Sequence, residues 1–114
     1  MLIDVDSIEL CHVHPLTNNV FKVSIARFDT VFGDEATCAT EVDAKRFTSL
    51  FNQAIERNNR NENMPSLTCR VIAFSKHAQD TIGLSWNTFE FRGIAYFDST
   101  LTDYVRKDLL GYRE

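Results

Sequence analysis

The run Cys11-His12-Val13-His14 gathers a thiol and two imidazoles within four residues. Side chains alternate between the faces of an extended strand. His12 and His14 would therefore project to one side, about 7 Å apart, with Cys11 on the other. Two imidazoles at that spacing can reach one metal ion if a third ligand, such as His77 or an acid, comes from elsewhere. The spacing lacks the HExxH pattern of a helical zinc site. It reads first as histidines packed at the end of a strand beside Pro15, and no metal or cofactor is assigned.

Nucleophilic chemistry needs a thiol or hydroxyl beside an oriented base. Cys11, Cys38 and Cys69 lie in or beside strand-like stretches, with no glycine elbow near them. Cys38 alone precedes a long helix, whose N-terminus could lower its pKa. Three cysteines without a CxxC pair read as reduced thiols in a cytoplasmic protein. The glycines, Gly33, Gly83, Gly93 and Gly111, form no phosphate-cradling cluster. Carboxylate pairs such as Asp4/Asp6 and Asp34/Glu35 read as charged surface. The chain is therefore not expected to be an enzyme.

Charge is distributed unevenly. The net charge is −4, and residues 1–35 carry six acids (Asp4, Asp6, Glu9, Asp29, Asp34, Glu35) against Lys22 and Arg27. Residues 36–114 balance ten acids with ten bases. With no basic stripe to neutralise phosphates, direct nucleic-acid binding is not expected. No stretch approaches a membrane span, and the N-terminus lacks the basic region and apolar run of a secretory signal.

The elements that must position these residues follow from hydrophobic period. At 114 residues, with 44% apolar residues and nine Phe, the chain suits one domain (1–114) with a heavy core. Ser7 to His14 and Val20 to Phe28 read as an antiparallel hairpin, which Thr30 to Ala39 would extend with a third short strand. In the first strand Ile8, Leu10, His12 and His14 share a face. A helix is expected from about Glu41 to Asn58, capped by Thr40, with Phe47, Leu50, Phe51, Ala54 and Ile55 on one stripe. The Asn-rich patch Asn58–Asn63 reads as an exposed loop.

Leu67 to Phe74 follows as a central strand and Ser75 to Asp80 as a connection. Thr81 to Trp86 and Phe89 to Phe97 read as two strands, or as one bent at Asn87-Thr88. Unbroken alternation along the second would set Phe89, Phe91, Ala95 and Phe97 on the core face, and Arg92, Ile94 and Tyr96 opposite. A last helix from about Thr100 to Leu110 would be capped by Ser99 or Thr100 and stopped at Gly111, with Asp103 and Lys107 paired on its solvent side. The order β-β-(β)-α-β-β-β-α gives an α+β fold: a mostly antiparallel sheet of about 4–6 strands covered by one long helix and a C-terminal helix.

A compact acidic domain without a catalytic constellation suits a protein-binding inhibitor or adaptor of the immunity or phage anti-defence kind. Its partner would be a basic protein, such as a nuclease or a nucleic-acid-binding complex, met by Asp4, Asp6, Glu9, Asp29, Asp34 and Glu35. Arg92 and Tyr96 add an interface of hot-spot composition. The alternatives are a small enzyme or metal-binding domain using His12 and His14, and a homodimer formed through a sheet edge.

Overall fold

The computed structural model describes residues 2, 4–13, 23–33, 36–63 and 65–111. It is an α+β fold built on a seven-stranded antiparallel sheet in the order β2-β1-β4-β5-β6-β7-β3. The strands are β1 (Val5–His12), β2 (Thr37–Ala39), β3 (Arg60–Asn61), β4 (Cys69–Ser75), β5 (Gln79–Leu84), β6 (Thr88–Phe91) and β7 (Ile94–Phe97). The helices are α1 (Phe28–Phe32), α2 (Ala44–Arg57) and α3 (Ser99–Asp103), the last continuing as a π-helical segment, Tyr104–Leu109.

One face of the sheet carries the larger core. Register places Leu10 opposite Val71 and Val71 opposite Ile82, which in turn faces Phe91. All four are buried under α2 and α3. Helix α2 is capped by Asp43, not by Thr40: the Asp43 carboxylate accepts the Arg46 amide at 3.1 Å. It ends at Asn58, which takes the left-handed conformation with φ of 53°. Its buried stripe is Phe47, Phe51 and Ala54. Phe51 meets Phe91 edge-on at 4.9 Å between centroids and Phe89 at 5.5 Å.

The opposite face is covered where the sequence suggested another strand. Ile25–Arg27 form a 3₁₀ turn leading into α1, so the strand expected over Val20 to Phe28 is not formed among the described residues. Residues 20–22 lie outside them. The helical spacing of Phe28 and Phe32 decides this, since both rings turn inward and meet at 5.1 Å. They pack with Cys11, Val13, Val23 and Leu67 in a second core. This is why β1 buries both Leu10 and its neighbour Cys11, where a one-sided hairpin would expose one of them.

The strand count exceeds the 4–6 expected. Among the described residues of Thr30 to Ala39, Thr37–Ala39 form a strand, which pairs with β1; Thr30 lies in α1. The Asn-rich patch contributes β3, a two-residue edge strand against β7. The segment Phe89 to Phe97 is two strands. Arg92 and Gly93, with φ of 49° and 78°, close a tight hairpin between them.

The C-terminal helix starts from Asp98, whose carboxylate accepts the Leu101 amide at 3.1 Å, one residue before the expected cap. Past Tyr104 the helix widens, and the Leu110 amide reaches back five residues to Val105. Asp103 pairs with Arg106, three residues on, at 2.7 Å, in place of the expected Lys107. Gly111 takes the left-handed stop at φ of 74°.

Candidate interaction surface

The acidic residues of the N-terminal third do not form one patch. Asp4 and Asp6 are exposed at the start of β1, beside Ser75, Lys76 and His77 of the β4–β5 turn, around an open hollow of about 520 Å³. Glu9 is half-buried, and its carboxylate lies 3.7 Å from the Arg70 guanidinium. Asp29 lies on α1, whose Phe28 and Phe32 pack with Cys11 and Val13 at the other end of β1. Asp34 and Glu35 fall outside the described residues, as does His14.

The histidines are also separated. Val5 pairs with Ser75, beside His77, whereas His12 pairs with Cys69. At about 3.3 Å per residue the two ends of β1 are on the order of 20 Å apart, so His12 and His77 cannot share an ion. Among the described residues no group of three or more His, Cys, Asp or Glu could hold a metal. Burial holds the His12 imidazole below its usual pKa.

The thiols are not all reduced. Cys11 and Cys38 stand directly opposite on β1 and β2 and form a disulfide, so Cys38 is not a thiol activated by α2. Cys69 is free and fully buried, and burial pushes its pKa up to about 12.

The aromatic interface expected at Arg92 and Tyr96 is rearranged by the β6–β7 hairpin. Tyr96 is buried, with its ring stacked on Phe89 at 5.0 Å, and is not a contact residue. Arg92 is exposed at the turn, 3.1 Å from the Asp80 carboxylate and over the Phe91 ring at 4.8 Å. The aromatic that reaches solvent is Phe97, at 46% exposure, accompanied by Trp86 at 38%.

These two residues flank a hydrogen-bonded junction in the chain. Backbone bonds run from the Asp98 amide to the Asn87 carbonyl (3.1 Å) and from the Phe97 amide to the Asn59 carbonyl (2.7 Å). Trp86 therefore precedes one end of the Asn87–Asp98 bond, and Phe97 precedes the other. The Arg106 guanidinium lies 3.8 Å from the Trp86 ring centroid and donates to the Trp86 carbonyl at 2.6 Å. Asp98, with only 3% of its side chain exposed, receives Arg57 through two hydrogen bonds, and that bonding raises the Arg57 pKa. Beside the pair, Asn59, Asn87, Phe97, Ser99 and Thr100 line an open cleft of about 440 Å³.

The cleft combines one projecting aromatic, Phe97, with Arg57 and neutral polar groups, while Trp86 lies against Arg106 and does not line it. An exposed ring beside arginine and polar groups is the composition of protein-contact hot spots. Alternation alone assigned Phe97 to the core. Two sequence signals bear on it: Arg92-Gly93 as a hairpin turn, and Asp98 as a helix cap.

Comparison with protein-family models, curated proteins and solved structures returns no match for this chain. Among the described residues no helix is long and apolar enough to cross a membrane.

Proposed function

We propose that this chain is a protein-binding module of the inhibitor or adaptor type, acting in the cytoplasm by covering the working surface of a basic partner. The observation that carries this reading is the placement of Trp86 and Phe97. They are the exposed large hydrophobic side chains among the described residues, and they stand on either side of one hydrogen-bonded junction. Trp86 is held under the Arg106 guanidinium, and a ring held before binding loses little conformational freedom on association, so more of its burial appears as affinity. The net charge of −4 supplies longer-range attraction, and Asp4 and Asp6 are the described acids of the N-terminal third that remain exposed.

The deciding experiment is affinity purification of the tagged chain from its native cells, with a Trp86→Ala/Phe97→Ala double variant in parallel. Mass spectrometry should find one stoichiometric basic protein on the parent chain and not on the variant. Equal recovery on both would remove this surface from the reading. A bare parent chain at low and moderate salt would remove the binding function itself.

A further inference from the structure

We propose that the Cys11–Cys38 disulfide is a thiol-reducible switch that holds or frees the edge strand β2. Among the described residues, β2 itself has few other ties to the sheet, though Ala36 before it and Val42 after it pack on the two cores. It is three residues long, exposed throughout, and among the described residues pairs with β1 alone, at Leu10–Ala39, Cys11–Cys38 and His12–Thr37. A ladder that short, burying none of its own side chains, barely offsets the entropy of ordering it. The covalent bond joins the central pair of that ladder across 27 residues of sequence.

The two sulfurs sit in different surroundings. Cys38 is exposed on the sheet edge, while Cys11 is buried in the core beneath α1. The Arg70 guanidinium lies 3.5 Å from Cys11 Sγ, and the Glu9 carboxylate lies 3.7 Å from both the guanidinium and that sulfur, so the cation is the nearer of the two charges. This asymmetry sets the direction of exchange. The thiolate of a small thiol, such as glutathione, attacks Cys38 Sγ, the Cys11–Cys38 bond breaks, and the electron pair leaves on Cys11 Sγ beside the Arg70 cation. A second thiol molecule then attacks the mixed disulfide on Cys38 and departs joined to the first. The protein gains two electrons and two protons, and two thiols become one disulfide. A neighbouring cation stabilises a leaving thiolate and speeds this exchange. With the bond cut, β2 is released and residues 10–12 of β1 become an open sheet edge. A reversible disulfide of this kind is the form that suits a reducing compartment.

Three measurements test the switch. Limited treatment of the native oxidised protein with glutathione, followed by iodoacetamide and peptide mapping, should place glutathione on Cys38 and the alkyl group on Cys11. Cys69 should stay unmodified. Glutathione on Cys11, a disulfide that yields only after denaturant is added, or three free thiols that persist after treatment with oxidised glutathione would each overturn the proposal. Hydrogen exchange should then show amides 37–39 and 10–12 exchanging at least about tenfold faster in the reduced protein, with β4 and β5 unchanged. Equal exchange in both forms, or faster exchange everywhere, would overturn the release of β2. Arg70→Gln should slow the reduction about three- to tenfold. An unchanged rate would overturn the role of the cation. Should that variant not fold, the mapping on the parent chain still decides the direction of attack.

Discussion

Asp98 takes the Arg57 guanidinium at 2.8 and 2.9 Å while the same carboxylate caps the helix that begins at the next residue. One side chain thus ties the end of α2 to the start of α3 and to the last residue of β7. Asparagine retains the capping oxygen but not the charge, so Asp98→Asn separates the two roles. The substitution should lower stability by about 1 kcal/mol, a figure kept small because Arg57 is partly exposed. Asp98→Ala should cost about a further 1 kcal/mol for the lost cap. Urea unfolding of the two variants gives both values. Equal loss in the two would mean the cap contributes nothing.

At Gly83 the sheet leaves no room for a side chain. A Cβ there would collide with both terminal methyl carbons of Leu67 and press on Ile25 Cγ1 at 3.1 Å. Gly83→Ala should therefore destabilise the protein by about 1–3 kcal/mol through overpacking. Leu67→Ala alone should cost about 2–5 kcal/mol by leaving a cavity. The double variant should be clearly less damaged than the sum of the two, because the new methyl occupies the vacated space. Additive losses in a urea double-mutant cycle would contradict the contact.

Two half-buried titrating groups predict opposing pH effects. Burial lowers the His12 pKa, so the unfolded chain binds that proton more readily, and stability falls as pH drops below about 6.5. Burial raises the Glu90 pKa, so the folded chain binds that proton more readily. Its stabilising contribution is present at low pH and is lost as pH rises through the folded-state value. His12→Gln should flatten the decline between pH 7.5 and 5.5, and Glu90→Gln should raise stability at neutral pH. Denaturant midpoints across that range are the readout. A Glu90→Gln variant less stable than the parent at pH 7 would refute the second effect.

For the proposed partner, charge and shape should act on different rates. Asp4→Asn/Asp6→Asn should slow association and weaken its dependence on salt, leaving dissociation nearly unchanged. Trp86→Ala or Phe97→Ala should speed dissociation, by about 30-fold if each ring contributes a hot-spot energy of about 2 kcal/mol. Surface plasmon resonance at two salt concentrations separates the four rates. Aromatic variants that changed only the on-rate would contradict a contact role for these rings.

Much of the frame was legible from local pattern. The period of Phe47, Phe51 and Ala54 predicted α2, and the apolar run around Val71 predicted a central strand. Gly111 marked the end of the last helix. The parity of β7 was harder to read. Extending alternation from Phe89 assumes that nothing reverses the chain, but a two-residue turn does so between Phe91 and Ile94. Paired residues across that turn have opposite parity, so Tyr96 joins Phe89 inside and Phe97 faces out. The signal was present in Arg92-Gly93, though Arg is an unusual occupant of a left-handed position, where Asn or Asp is the usual mark.

Composition and local period were enough to determine the α+β class, the covering helix and the apolar stripe it buries, because those depend on neighbours a few residues apart. Pairings between distant residues were decided only by the tertiary structure. Cys11 bonds Cys38 because β2 lies in register with β1, and Arg57 reaches Asp98 because α2 ends where β7 ends. The acids counted together in the first third of the chain are divided between the two ends of the sheet and a half-buried contact with Arg70. Charge adds along a sequence, but a surface forms only from residues that the chain brings to one side.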